Sequence, residues 1–403
     1  MTTPLALNLR LIGWLSLAQL ISWGSIFYTF ALLMAPMERE LGLSRAQSSL
    51  AFSLALLVEG LLAYPVGRWI DAGHERLLMT CGSLLAALCL LLQGSVTGIV
   101  GFYVVWAGLG AAMAAILYAP AFAVVTRRFP NDFRRAIILM TFLGGLASTV
   151  FIPLTAWLMA LWGWRHAFMA LAALQLLVCA PLHWLTLHGA PRPVPRSVAA
   201  APLAKQGVSD FIFSAPFLLI GLFVVLLMAV TVALPAHMVS LLRENGLREV
   251  WVIAITAGIG VIQVLGRLLL YFFEHHFDLH LANRLIPCLI PLGLLALLAA
   301  PLAAPWQVGA VLLFVLLYGL GNGMLTIVKG TAIAQYVNRD HVATLNGALG
   351  LPLALARAAA PLLLGLLWTA QAGYSHGLWL LLALSAVGVG ALMLAQQITL
   401  GSR

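Results

Sequence analysis

The chain has 403 residues, of which 63% are hydrophobic and 8% charged, with a formal net charge of +9. Soluble domains carry about 25% charged residues, and no soluble fold of this length hides so much apolar surface, so the composition excludes a water-soluble enzyme or binding module and makes a bilayer the solvent. The positive balance follows from membrane orientation and needs no nucleic-acid partner.

Windows of about 20 apolar residues predict twelve membrane spans, near residues 11–34, 46–69, 77–96, 99–125, 136–160, 165–187, 213–241, 249–273, 283–304, 307–330, 341–368 and 372–396. The expected fold class is an all-α polytopic membrane protein with twelve transmembrane helices in two six-helix bundles. Span 1 has no small-residue cleavage site behind its apolar run and reads as a retained helix. Span 2 carries Glu59 deep in its apolar run, and the loop after it reads Gly67-Arg68-Trp69-Ile70-Asp71-Ala72-Gly73-His74-Glu75-Arg76. Cys81, Cys89, Cys179 and Cys288 fall in spans 3, 6 and 9 without a CxxC or a nearby histidine pair. They read as small buried apolar residues, which excludes a disulfide framework and a zinc site.

Span 4 contains Gly108-Leu109-Gly110 with Met113, then Tyr118-Ala119-Pro120. After span 6, residues 188–212 are rich in proline, alanine and basic residues without apolar periodicity, the pattern of a flexible cytoplasmic linker. It divides the chain into an N-terminal bundle, 1–187, and a C-terminal bundle, 213–403. Span 7 holds His237 just after Pro235, where an interfacial histidine is expected. Span 8 places Gln263 and Arg267 one helical turn apart, and span 10 does the same with Tyr318 and Asn322. Lys329 lies at the inner end of span 10, where snorkelling accounts for it; its functional reading is an electropositive entry for anions. Arg357 lies too deep in span 11 to reach water.

The two halves repeat weakly. Gly108-Leu109-Gly110 and Met113 are echoed by Gly319-Leu320-Gly321 and Met324, Gly67-Arg68 by Gly266-Arg267, and the turn Gly163-Trp164-Arg165-His166 by Gly373-Tyr374-Ser375-His376. Such order supports a duplicated six-helix unit. Arg10, Arg68, Arg76, Arg127, Arg128, Arg134 and Arg135 gather with Arg192, Arg196 and Lys205 of the linker and with Arg284, Arg339 and Arg403 on one side, whereas Arg39, Arg45, Arg165, Arg243 and Arg248 occupy the other. The bias puts both termini in the cytoplasm. Short loops and Leu/Ala/Arg-rich usage suggest a bacterial inner membrane.

Six spans, a central linker and six more resemble the major facilitator superfamily. Its loop motif after span 2 is matched by Gly67, Asp71, Gly73 and Arg76, with Ala72 where the pattern has an arginine and Glu75 where a basic residue is common. The resemblance implies that Asp71 helps latch the cytoplasmic ends of the halves. It also implies that spans 2 and 11 face each other, so that Glu59 and Arg357 pair as a gate; alternatively, Arg357 is a second anion ligand and Glu59 takes up a coupling proton. The closest-looking branch is that of monocarboxylate porters and oxalate–formate antiporters. There Arg267 matches the arginine that holds the substrate carboxylate, Gln263 replaces an acid, and Tyr118, Tyr318 and Asn322 resemble residues lining the site.

Independently of any family, a guanidinium clamps a carboxylate through two parallel charge-assisted hydrogen bonds, and amide and phenol groups complete the anion's lone pairs. Each charge at a helix centre costs roughly 2.5–3.5 kcal/mol on insertion. A chain that keeps Glu59, Arg267, Lys329 and Arg357 in its spans is expected to use them. The expected function is secondary transport of a small organic anion, by proton symport or exchange, with no cofactor, no enzymatic activity and a functional monomer. The alternative is a drug or metabolite exporter of the same fold, although span 5 lacks the Gly-Pro of proton-driven drug antiporters. No HExxH, Walker-type loop or paired nucleophile and base supports an embedded enzyme.

Overall fold

The computed structural model describes residues 4–129, 133–189, 211–273, 279–303, 306–338 and 342–401. The linker expected at 188–212 lies outside these except at its ends, as do Arg192, Arg196, Lys205 and Arg339. Among the described residues there is no strand, only an isolated bridge between Thr369 and Gly373 in the turn before the last span.

Among the described residues ten helices are long and apolar enough to cross a membrane, and Gly350–Leu366 is a shorter apolar helix. One of the ten, Leu139–Thr186, runs for 48 residues and holds spans 5 and 6 end to end. Gly163 breaks it with φ 76° and ψ 169°. That conformation is natural only to glycine, so the helical run contains two crossings and the twelve expected spans are all accounted for. Span 11 is shorter than expected because Leu349 separates a short helix, Val342–Ala348, from Gly350–Leu366.

Local chemistry explains the boundaries. Gly42 ends span 1 in the left-handed region at φ 65°. Ser44 then opens Arg45–Asp71 with a capping box: its hydroxyl accepts from Gln47 N at 3.2 Å, and Gln47 Oε1 accepts from Ser44 N at 2.8 Å. Within span 1, residues Trp23–Tyr28 form a π-helical turn. Gly24 leaves room there for Phe151, whose ring any added Cβ would overlap. The Thr29 hydroxyl donates to the Gly24 carbonyl at 2.7 Å, satisfying a group released by the wide turn.

The described chain clusters into two compact units: Met1–Val194 with Pro235–Arg243 and Arg248–Val261, and Pro195–Leu234 with Glu244–Leu247 and Ile262–Arg403. The division differs from a cut at the linker because the ends of spans 7 and 8 belong to unit 1. Thr149 Oγ1 donates to the Ala257 carbonyl at 2.7 Å, Gly260 leaves room for the Ser148 and Thr149 hydroxyls, and Ser49 Oγ lies 3.4 Å from His237 Nε2. His237, placed by sequence at an interface, is fully buried.

Unit 1 is held by aromatic packing and close helix approach. Phe30 and Phe52 stack at 4.6 Å between ring centroids, with Trp106 edge-on to both. Gly110 lets span 4 touch span 2, since a Cβ there would overlap the Ala55 carbonyl, and Gly108 sits against Cys89 of span 3. Unit 2 repeats the arrangement: Gly323 of span 10 touches Gln263 of span 8, and Gly321 touches Leu289 and Ile290 of span 9. Small residues at such crossings permit backbone contact inside a membrane.

This packing corrects the register read from sequence. Gly108 and Gly110 correspond to Gly321 and Gly323, not to Gly319 and Gly321. Ala55 then corresponds to Gln263, and Glu59 to Arg267. On span 3, Leu84, Leu88 and Leu91 are exposed by 44%, 52% and 48%. Their spacing of four and three makes one apolar stripe, the face expected of a peripheral, lipid-facing helix.

Candidate functional site

In unit 2, span 8 is the helix Glu249–Phe273 and span 10 the helix Gln307–Tyr336. Gln263 is buried and Arg267 half-buried. Because Gly266 and Gly323 carry no side chain, the two backbones meet, and Arg267 Nε donates to the Gly323 carbonyl at 3.2 Å. The Thr326 hydroxyl donates to the same carbonyl at 2.9 Å. A guanidinium tethered at Nε has its plane set by the helix crossing, which pre-orients its fork for a planar acceptor.

Tyr318 and Asn322 lie on one face of span 10, with different surroundings. Tyr318 is completely buried and stacks on Phe314 at 5.4 Å, whereas Asn322 is half-buried. Arg357 is half-buried in Gly350–Leu366. Lys329 does not reach outward past the end of its helix, which continues to Tyr336. Its Nζ lies 3.2 Å from Met228 Sδ on span 7, and Arg357 stands close enough for its charge to act on it.

Tyr118 and Glu59 belong to unit 1. Leu117 interrupts span 4 with extended backbone, φ −78° and ψ −163°, just before Tyr118–Arg128 begins. Pro120 has no N–H for the Ile116 carbonyl four residues back, and the buried Gln19 side chain donates to that carbonyl at 2.7 Å. The kink presents Tyr118 against Trp23 at 5.0 Å and Phe122 at 5.1 Å, and Gly144 leaves space for its hydroxyl. Glu59 is half-buried, one turn beyond the Ala55 crossing.

Among the described residues no group of three or more His, Cys, Asp or Glu stands together as a metal-ligand set.

The Major Facilitator Superfamily model matches residues 15–361. The chain belongs to that superfamily. A bacterial homologue of the human lysosomal transporter Spinster, in an inward-facing and unoccupied conformation, superposes with a TM-score of 0.76 at 18% identity, covering 100% of this chain and 99% of that one. The nucleoside transporter NupG gives 0.69 at 16% identity over 97% and 99%. These likenesses show the fold of a transporter. A curated relative, an uncharacterized 38 kDa protein from a 23S RNA operon of Thermoproteus tenax, is 28% identical over 158 residues, 39% of this chain and 41% of that protein. The match therefore spans about two-fifths of the relative's length.

In this superfamily member the loop after span 2 packs against the ends of spans 4 and 6. Asp71 closes the helix, and its side chain lies outside the described set. Among the described residues Gly67 has nothing within 4 Å of where a Cβ would stand. Gly73 takes φ 90° and is required by the turn. Arg76 lies over the Trp184 ring at 3.6 Å and donates from Nε to the Trp184 carbonyl at 2.8 Å.

The centre of the cluster is Glu75, which sequence reasoning passed over. Its carboxylate is completely buried and paired with Arg127 Nη1 at 3.1 Å and Arg128 Nη2 at 2.5 Å. Arg127 also donates to the Ile70 carbonyl, and Arg128 to the His188 carbonyl at 3.2 Å. A buried carboxylate persists only when paired and hydrogen-bonded. The available signal was an acid in the first turn of span 3 and two adjacent arginines at the end of span 4.

Unit 2 has its own polar hub. The Tyr336 hydroxyl accepts from Asn283 Nδ2 at 3.1 Å and Gln396 Nε2 at 3.0 Å, which fills both lone pairs and leaves its proton for His280 Nδ1 at 3.0 Å. Arg284 Nε extends the network, donating to Gln396 Oε1 at 2.6 Å.

Proposed function

We propose that this superfamily member is a secondary active transporter for a small organic anion, with Arg267 as the principal ligand of the substrate carboxylate. The observation that carries the reading is the tether of Arg267 Nε to the Gly323 carbonyl beside the buried Gln263. A cation placed deliberately at a helix crossing inside an apolar protein has little use except to meet an anion. Its paired Nη donors match a carboxylate bidentately, and Asn322 and Gln263 offer amides to the remaining lone pairs.

Monocarboxylates are the substrate type implied by the Gln263–Arg267 pattern. Tyr118 and Tyr318 complete the proposed set, Tyr318 from the core and Tyr118 from the kinked fourth span. Glu59 is proposed as the proton-coupling carboxylate and Arg357 as a second ligand or gating cation. Transport proceeds by alternating access, with a proton or counter-anion gradient as the driving force. The protein works as a monomer in a bacterial inner membrane with both ends cytoplasmic.

The test is a thermal-shift screen of purified protein against carboxylates, cationic drugs and neutral metabolites, since a ligand of the native state raises apparent stability by mass action. Stabilisation by a carboxylate that disappears in Arg267→Ala supports the reading. Stabilisation by cations or neutral hydrophobes alone refutes it and favours an exporter.

A further inference from the structure

Lys329 is the embedded charge that the anion site as described leaves unused. Its position follows from helix geometry: Tyr318, Asn322 and Lys329 are separated by four and then seven residues, so all three lie on one face of span 10. Asn322 and Lys329 are both half-buried, and the completely buried Tyr318 marks the closed end of that face. The polar face that begins at the amide thus continues two turns to an ammonium group.

The surroundings of that ammonium do not neutralise it. Among the described residues its hydrogen-bonding contact is the Met228 thioether, a weak acceptor without charge. Arg357 adds a second positive charge nearby. Within unit 2 the described residues include Arg267, Arg284, Lys329 and Arg357 against Glu244 as the one acid, and Glu244 is engaged by Trp368 Nε1 at 2.8 Å. Burying a lysine beside a like charge, with a thioether for company, is unfavourable unless an anion completes the arrangement. Methionine suits a contact that must be surrendered to a ligand, because its side chain is flexible and its sulfur weakly held.

We infer that Lys329 is a second anion ligand on the Asn322 face of span 10, and that the substrate is a dianion carrying two separate carboxylates, one for Arg267 and one for Lys329. The inference rests on the anion reading above and narrows it: a monocarboxylate fills the Arg267 centre and leaves Lys329 on its thioether. Lys329 is then the residue that sets selectivity between acids of one charge and of two.

The experiment uses the full chain in detergent or nanodiscs and measures dissociation constants at pH 7.5 for butyrate, succinate, malonate and sulfate. For the unaltered protein, succinate or malonate is expected to bind at least about tenfold more tightly than butyrate, the factor that one charge-assisted contact supplies. Lys329→Gln removes that advantage and leaves butyrate within about twofold, while Lys329→Arg retains most of it. Lys329→Met, apolar and of similar length, repeats the loss if the glutamine variant folds poorly.

Equal affinity for butyrate and the dicarboxylates in the unaltered protein overturns the inference without any variant. So does Lys329→Gln weakening butyrate and succinate alike, or sulfate binding as tightly as succinate, since two charges on one centre would then suffice. If butyrate binds in an Arg267-dependent manner and Lys329→Gln changes nothing, Lys329 is excluded and the anion reading stands. If no carboxylate binds, or binding survives Arg267→Ala, the anion reading falls and this inference with it.

Discussion

Arg267 and Gly323 are joined by a hydrogen bond from guanidinium Nε to backbone carbonyl, 3.2 Å long, at a crossing where no residue larger than glycine fits. Cation and crossing are parts of one device. The missing side chain at 323 brings the carbonyl within reach, and the carbonyl orients the cation.

Arg267→Ala is expected to abolish anion uptake into proteoliposomes while leaving the apparent melting temperature within a few degrees. Arg267→Lys should recover little, because an ammonium lacks the planar fork. Gly323→Ala should act on both properties: overpacking against Gln263 costs about 1–3 kcal/mol, and the separated helices carry Arg267 away from its acceptor. Normal uptake by a well-expressed Arg267→Ala protein would sink the assignment.

Glu59→Gln separates coupling from movement. Exchange of labelled for unlabelled substrate should persist, whereas accumulation driven by an imposed pH gradient should fail. Accumulation left unchanged by the substitution would remove Glu59 from the coupling role.

Glu75→Gln takes the negative charge from between two guanidiniums. Breaking a buried ion pair costs about 3–5 kcal/mol, so the melting temperature in detergent should drop well below that of the unaltered protein. Glu40→Gln is the comparison: Glu40 pairs with Arg165 at 2.8 Å while 48% exposed, and exposed pairs are screened by water and contribute little. Similar losses from the two variants would contradict the burial argument.

Gln19→Leu should destabilise by about 1–3 kcal/mol, because the Ile116 carbonyl loses its donor. Pro120→Ala restores a backbone N–H for that carbonyl. The double variant should therefore lose less stability than the sum of the single changes, a coupling that a thermal or denaturant double-mutant cycle measures directly. Additive losses would mean that Gln19 matters for some other contact.

The number of spans and the positions of their charges were legible in the sequence because the cost of a polar group in hydrocarbon acts on each residue separately. Relations between spans were less legible. Gly163 was legible as a turn residue, and its φ of 76° breaks the run between spans 5 and 6, but which helices the flanking spans pack against was not. The glycine match between spans 4 and 10 was two residues out, because Gly319 repeats a letter pattern while Gly321 and Gly323 repeat the contacts. The role of Glu75 was not legible for a related reason: it depends on Arg127 and Arg128 arriving from a helix more than fifty residues away. Of the candidate site, the Gln263–Arg267 face could be drawn from helical spacing alone. The burial of Tyr318, and the thioether that holds Lys329, required the neighbouring helices.

The wide turn at Trp23–Tyr28 sets how this span tolerates changes in length. Removing one residue from an ordinary α-helix rotates everything beyond it by about 100° and turns buried faces outward. Span 1 already holds one residue more than an α-helical path needs, and the Thr29 hydroxyl accommodates the surplus at Gly24. A single deletion inside 23–28 should let that stretch wind back into α-helix with Phe30 and Met34 still facing inward. The same deletion a turn earlier or later would scramble the core. Natural variation in the length of this helix should therefore collect at the wide turn and be scarce on either side of it.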